Sequence, residues 1–162
     1  MLTHSELLQL LSYDPDTGLL TRLTDNHRGQ RIGSIAGSKH HSGYIEVMVK
    51  RVNYRAHRIC WFHAYGVWPT HDIDHINGDK ADNRLCNLRD APTLINAQNE
   101  RRARKNSSSG LMGATFRKDR NKWIAAIRVN GKTKRLGSFA TPEEAHSAYL
   151  EGKRLYHAGF TL

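Results

Sequence analysis

The stretch Arg101-Arg-Ala-Arg-Lys-Asn-Ser-Ser-Ser-Gly110 limits the fold more than any other part of this 162-residue chain. Its clustered positive charges resist burial, and the small polar run behind them has linker composition. A single core cannot run through such a segment. The chain therefore reads as two small domains, residues 1–100 and 111–162, joined by a basic, Ser-rich linker at 101–110. Charge divides in a similar way. Residues 1–96 carry 11 Lys/Arg against 10 Asp/Glu, residues 97–105 four against one, and residues 106–162 ten against four. A net charge of +10 lies mostly behind a nearly neutral first part, which favours a polyanionic partner.

Several classes fall away on composition. The mean hydropathy is −0.65, and no apolar run approaches the roughly 18 residues of a membrane span. The start, Met1-Leu-Thr-His, has no basic segment followed by an apolar one, so no secretory signal is read. Cys60 and Cys86 are too few for a disulfide framework and form no Cys-x-x-Cys pair. Both read as reduced packing residues of a cytoplasmic protein.

In the first domain, Thr3-His-Ser-Glu6 has capping-box spacing and leads into Leu7, Leu8, Leu10 and Leu11, a short helix. Asp14-Pro-Asp-Thr-Gly18 is a turn by composition. Short β segments are expected at residues 19–23, 31–36 and 44–49, punctuated by Gly and Ser. His40-His41 is a histidine pair without an evident third ligand. Residues 56–65 read as a helix with Ile59, Cys60, Phe62 and His63 as its apolar stripe, and His57-Arg58 at its start could approach a phosphate. Residues 73–76 are expected as a strand, Asn77-Gly78 as a turn, residues 85–88 as the returning arm, and Thr93 as the cap of a helix running to about Arg101.

The chemistry concentrates between Asp72 and Asn96. Asp72-Ile-Asp-His-Ile-Asn-Gly-Asp79 sets two carboxylates beside His75, and Asn87 and Asn96 follow. A carboxylate and an amide can hold a hard divalent cation that keeps most of its waters. A neutral imidazole beside them can take a proton near neutral pH. In a regular strand Asp74 and His75 point to opposite faces, so this site requires a twist, a bulge or a strand end.

These residues resemble the HNH endonuclease family in its phage and intron-encoded branch. Asp74-His75, Asn87-Leu88-Arg89 and Asn96 follow the family's order, and Ala56-His-Arg-Ile-Cys-Trp-Phe62 matches its lead-in. The resemblance implies a ββα-metal module (core 56–100) behind an N-terminal β-rich segment. It further implies that His75 is the general base and that Asp74 and Asn96 hold one Mg²⁺ or Mn²⁺. Asn87 would pin the long loop. Asn99 is the alternative to Asn96, and Asp72 either supports the site or merely begins the strand.

Residues 111–162 alternate clearly. Residues 113–118, 122–129 and 132–137 are strand candidates joined by Asp119-Arg-Asn121 and Asn130-Gly131. Thr141-Pro-Glu-Glu144 opens a helix with Ala145, Ala148, Tyr149 and Leu155 on one face. A three-stranded antiparallel sheet backed by one helix follows. Gly113, Lys122-Trp123, Ile127-Arg128, Leu136-Gly137-Ser-Phe139 and Glu143-Glu144-Ala145 resemble the AP2 DNA-binding domain. That resemblance implies a sheet in the major groove, with Thr115, Arg117, Arg120, Trp123, Arg128, Lys134 and Arg135 toward DNA.

The fold class expected is α+β. The expected protein is a metal-dependent DNA endonuclease of the homing type, acting on duplex DNA as a monomer or weak dimer in the cytoplasm, which is the host's if the gene belongs to a phage. A DNA-binding regulator with a degenerate nuclease module is the alternative. It has no need of Asp74, His75 and Asn96.

Overall fold

Thr3 stops the chain and starts helix α1 (His4–Leu10) with a complete capping box: the Glu6 amide donates to Thr3 Oγ1 at 3.3 Å and the Thr3 amide to Glu6 Oε2 at 2.9 Å. The computed structural model describes residues 2–25 and 29–161. It divides the chain into two units, Met1–Thr93 and Leu94–Leu162.

The first unit continues with a hairpin of β1 (Leu11–Tyr13) and β2 (Leu20–Arg22). Asp14 caps its turn by accepting the Asp16 amide at 2.9 Å, and Gly18 supplies the positive φ of 75° that closes it. Residues 31–36 do not form a regular strand, yet 33–36 run antiparallel beside β2: the Gly33 amide donates to the Arg22 carbonyl at 2.8 Å, the Arg22 amide to the Ser34 carbonyl at 2.9 Å and the Ala36 amide to the Leu20 carbonyl at 2.7 Å, around an isolated bridge of Ile35 to Thr21. Beyond them β3 (Ser38–Lys39), β4 (Ile45–Val49) and β5 (Val52–Arg55) form an antiparallel sheet in that order. The β4–β5 turn is Lys50-Arg51, both at positive φ (48° and 65°). No Gly or Asn marks that hairpin, so its second strand was not legible.

Helix α2 (Ala56–Tyr65) buries Ile59, Cys60 and Phe62 against Leu7, Leu11, Val47 and Val49, and Gly66 at φ 73° ends it. Strands β6 (Asp72–His75) and β7 (Leu88–Ala91) pair antiparallel, Asp74 opposite Arg89 and His75 opposite Leu88. The returning arm expected at 85–88 is a 3-10 turn over Leu85–Asn87, and the strand begins only at Leu88.

Helix α3 (Thr93–Gln98) takes in Thr93, expected as the cap before it, and ends earlier than Arg101. From Leu94 it groups with the second unit, not with the module to which the sequence assigned it. Contacts far along the chain explain the grouping. Gln98 Oε1 accepts the Gly159 amide at 2.9 Å, and Lys153, only 1% exposed, donates from Nζ to the Glu100 carbonyl at 2.6 Å.

Strands β8 (Ala114–Arg117), β9 (Lys122–Val129) and β10 (Lys132–Phe139) form an antiparallel sheet with β9 central. Helix α4 (Pro142–Tyr156) covers one face, opened by a Thr141–Glu144 capping box. Its core is small: Ala114, Ala125 and Ala145, with Leu111, Trp123, Leu136, Phe139 and Ala148 packed around them. Gly152 lets α4 approach, since a Cβ there would lie 2.6 Å from Leu136. Among the described residues no helix is long and apolar enough to cross a membrane.

Candidate active site and nucleic-acid interface

Asp74 and His75 are both buried although they are sequence neighbours on one strand. The ladder explains how. Pairing is regular through His75–Leu88, and His75 is the last residue of β6. The strand is regular, so the two side chains point to opposite faces, and each face is covered. Asp74 turns to the face it shares with Arg89, whose Nε and NH2 both donate to Asp74 Oδ2, at 3.0 and 2.6 Å. This is a charge-assisted pair on a buried carboxylate. Asp72 sits exposed at the strand start opposite Ala91.

His75 faces the other way, into a pocket of rings and amides. Its Nε2 lies 3.2 Å from Asn83 Oδ1. The Tyr44 ring is 5.8 Å away, and the His57 ring meets it perpendicularly at 5.1 Å. Burial holds the His75 pKa below the ordinary histidine value, against the opposing pull of the Asn83 bond and of Asp74, Asp79 and Asp82. A neutral imidazole is the form that accepts a proton.

The loop from Ile76 to Asn87 holds its shape through side chains. Asn87, buried, accepts the Asn77 amide on Oδ1 and donates from Nδ2 to the Asp82 carbonyl, both at 2.8 Å. Its side chain thus spans the mouth of the loop. Asn77 Nδ2 reaches Asp82 Oδ2 at 2.7 Å, and Asp82 also takes Arg84 Nε and NH2. The Arg84 bonds hold the Asp82 carboxyl down at about 2.

Two residues in this pocket were not read as site residues from the sequence. Tyr44 stood only at the edge of a strand, yet its ring touches both histidines and carries Lys80 Nζ 4.7 Å from its centre. Asn83 was one polar loop residue among many. For His57 the sequence points only to a phosphate contact. It is buried, its Nδ1 has no hydrogen-bond partner among the described residues, and its pKa is pushed down to about 3, first by burial and then by electrostatic repulsion from His75, Arg58 and Arg55 as it gains a proton. Asn96 lies half-buried on α3, within the second unit. Asn99, the alternative, is buried and accepts Thr161 Oγ1 at 3.0 Å.

Among the described residues no group of three His, Cys, Asp or Glu could enclose a metal ion. A cation at Asp74 would share that carboxylate with the Arg89 guanidinium, and a hard cation that keeps its own waters asks for the fewest protein ligands.

On the second unit, register sorts the residues expected to face DNA. Thr115 pairs with Ile124, Arg135 with Ala126 and Arg128 with Thr133, all on the face away from α4. Thr115, Arg117, Arg120, Ile124, Ala126, Thr133 and Arg135 line a concavity of ≈ 350 Å³ there. Arg128 shares the face, its Nε donating to the Gly131 carbonyl at 3.3 Å. Trp123 and Lys134 lie on the opposite face. Trp123 alternates inward with Ala125 and Ile127, packs on the core and meets Phe116 at 5.1 Å. Lys134 pairs with Ile127 and donates to the Tyr156 hydroxyl on α4 at 2.7 Å. The sequence expectation for these two is corrected by strand parity: residues of odd number on β9 turn to the helix.

Residues 54–98 match the HNH endonuclease family. Protein 3.8 of Escherichia phage T7 is 35% identical over 79 residues, which are 48% of this chain and 64% of that protein. The chain thus spans less than two thirds of the relative's length. No solved structure gives a significant match.

Proposed function

We propose that this protein is a metal-dependent DNA endonuclease that hydrolyses phosphodiester bonds in duplex DNA, guided by an AP2-like sheet. The observation that carries the reading is the Asp74–His75 pair at a strand end, inside a segment matching the HNH endonuclease family. His75, kept neutral by burial, takes a proton from the water that attacks phosphorus. Asn87 ties the loop closed and thereby holds the strand end that presents the imidazole. Asp74 is the carboxylate ligand for one Mg²⁺ or Mn²⁺. When bound, that cation supplies neutralising charge to the non-bridging and departing 3′ oxygens. Arg117, Arg120, Arg128 and Arg135 grip phosphates and base edges from the exposed sheet. One small site per chain makes single-strand nicking the expected product, by a homing-type phage enzyme acting in the host cytoplasm as a monomer or weak dimer.

A second reading, a DNA-binding regulator, is favoured by one observation: Arg89 occupies Asp74 Oδ2, the carboxylate the cation needs. A supercoiled plasmid carrying source-genome DNA separates the two. Open circles with Mg²⁺ or Mn²⁺, absent with EDTA and with His75→Ala, support the nuclease. Binding without cutting by the wild type supports the regulator, and equal cutting by both proteins rejects the assignment of His75.

A further inference from the structure

Asn83 stands outside every role assigned so far, yet it is buried and holds the nitrogen of the imidazole that matters for orientation. Its amide cannot turn over freely, because Nδ2 donates to the Ala81 carbonyl at 3.4 Å, which leaves Oδ1 toward His75. An amide oxygen only accepts, so His75 Nε2 is the donor in that 3.2 Å contact. In a neutral imidazole the proton on Nε2 places the lone pair on Nδ1.

Asn83 is itself gripped from the start of the chain. Tyr13 donates its hydroxyl to the Asn83 carbonyl at 2.7 Å. The Leu85 amide donates to the Pro15 carbonyl at 2.9 Å. Gly18 presses so close that a Cβ there would sit 2.5 Å from the Arg84 nitrogen and 2.6 Å from the Asn83 carbonyl carbon. These are backbone atoms, which cannot rotate out of the way. The β1–β2 turn is thus moulded to the 83–85 segment at three independent points.

We infer that Asn83 is the positioning residue of His75: it fixes the Nε2–H tautomer so that Nδ1 is the proton-accepting atom, and the Asp14–Gly18 turn clamps Asn83 in place. The catalytic part of this statement rests on the endonuclease reading above; the tautomer and the clamp do not. A second consequence is that the N-terminal hairpin belongs to the active-site machinery and is more than a neighbouring scaffold.

The test is nitrogen-15 NMR of the histidine rings in the full chain, without DNA, at a pH where His75 is neutral. Wild type is expected to show Nε2 protonated and Nδ1 with pyridine-like nitrogen shift. An Nδ1–H tautomer in wild type overturns the proposal without any variant. Asn83→Leu keeps the shape and removes the acceptor, so mixed tautomers are expected, and Asn83→Asp, which restores an acceptor, should return the single form. If Asn83→Leu keeps a pure Nε2–H ring, Asn83 does not set the tautomer and the proposal fails. Tyr13→Phe leaves the Asn83 side chain intact and should broaden or split the His75 signals; unchanged signals would remove the clamp. In plasmid cutting, Asn83→Leu should lower kcat about tenfold to a hundredfold with KM unchanged. A loss confined to KM would contradict positioning of the base. Absence of cutting by the wild type would sink the nuclease reading while the ring spectra still decide the role of Asn83.

Discussion

Acid should destabilise the first unit through His57, by an amount that can be worked out. The residue is 7% exposed, its Nδ1 has no partner among the described residues, and it faces the rings of His75 and Tyr44 with Arg55 and Arg58 nearby. Burial and those positive neighbours push its pKa down to about 3. Unfolded, it returns to roughly 6.5. Between those values the unfolded chain binds a proton that the folded chain refuses, so stability falls as pH falls. The contribution is intact above pH 7, and about 3 kcal/mol of it is gone by pH 4. Carboxylates also titrate in acid, so the comparison must be with His57→Phe, which keeps a ring against Tyr44 and His75 but binds no proton. The assay is urea unfolding at pH 7, 5 and 4, read by hydrogen exchange of the α2 amides so that only the first unit reports. The stability difference between the two proteins should shift by about 3 kcal/mol toward the variant from pH 7 to pH 4. Parallel curves would show that His57 takes its proton while folded, and would refute burial as the cause.

Strand parity in the second unit separates stability from binding. Trp123→Ala should cost about 3 kcal/mol of second-unit stability, seen as a lower urea midpoint. Arg135→Ala should leave that midpoint unchanged and reduce the salt slope of DNA binding by about one. A Gly159 side chain would meet the Ile95 carbonyl oxygen at 2.2 Å. Gly159→Ala should therefore cost about 2 kcal/mol and raise hydrogen exchange in α3; an unchanged midpoint would mean that the two segments are not held together as described. Thr141→Ala removes one half of the α4 capping box and should cost about 1 kcal/mol in the same measurement.

Much of the local structure was legible because its signals are local. Thr3–Glu6 and Thr141–Glu144 declare helix starts three residues ahead, and both capping boxes are present. The alternation of residues 122–129 marks a strand, and Asn130-Gly131 marks the turn after it. The β4–β5 hairpin was hidden because Lys50 and Arg51 carry the positive φ usually given to Gly or Asn. Residues 31–36 pair with β2 only over 33–36, and apolar spacing cannot reveal how much of a segment finds a regular ladder. Trp123 was misplaced for a related reason. Alternation says that two faces exist, and an amphipathic ring on a basic strand suits either.

By itself the sequence determined the chemistry available: Asp74 beside His75, two asparagines at intervals, and a strongly basic second half. It also determined where helices begin and where chain reversals occur, since caps and turns depend on residues a few positions apart. Tertiary structure alone decided which groups meet. That β6 ends at His75, that Asn83 holds this ring, and that Gly18 and Tyr13 hold Asn83 are contacts across up to 70 residues of chain. The same holds for α3, which joins the second unit through Gly159 and Lys153. Short-range preferences act within a turn or two of backbone. Contacts between distant segments form only when the whole chain has buried its apolar surface, and no local pattern encodes them.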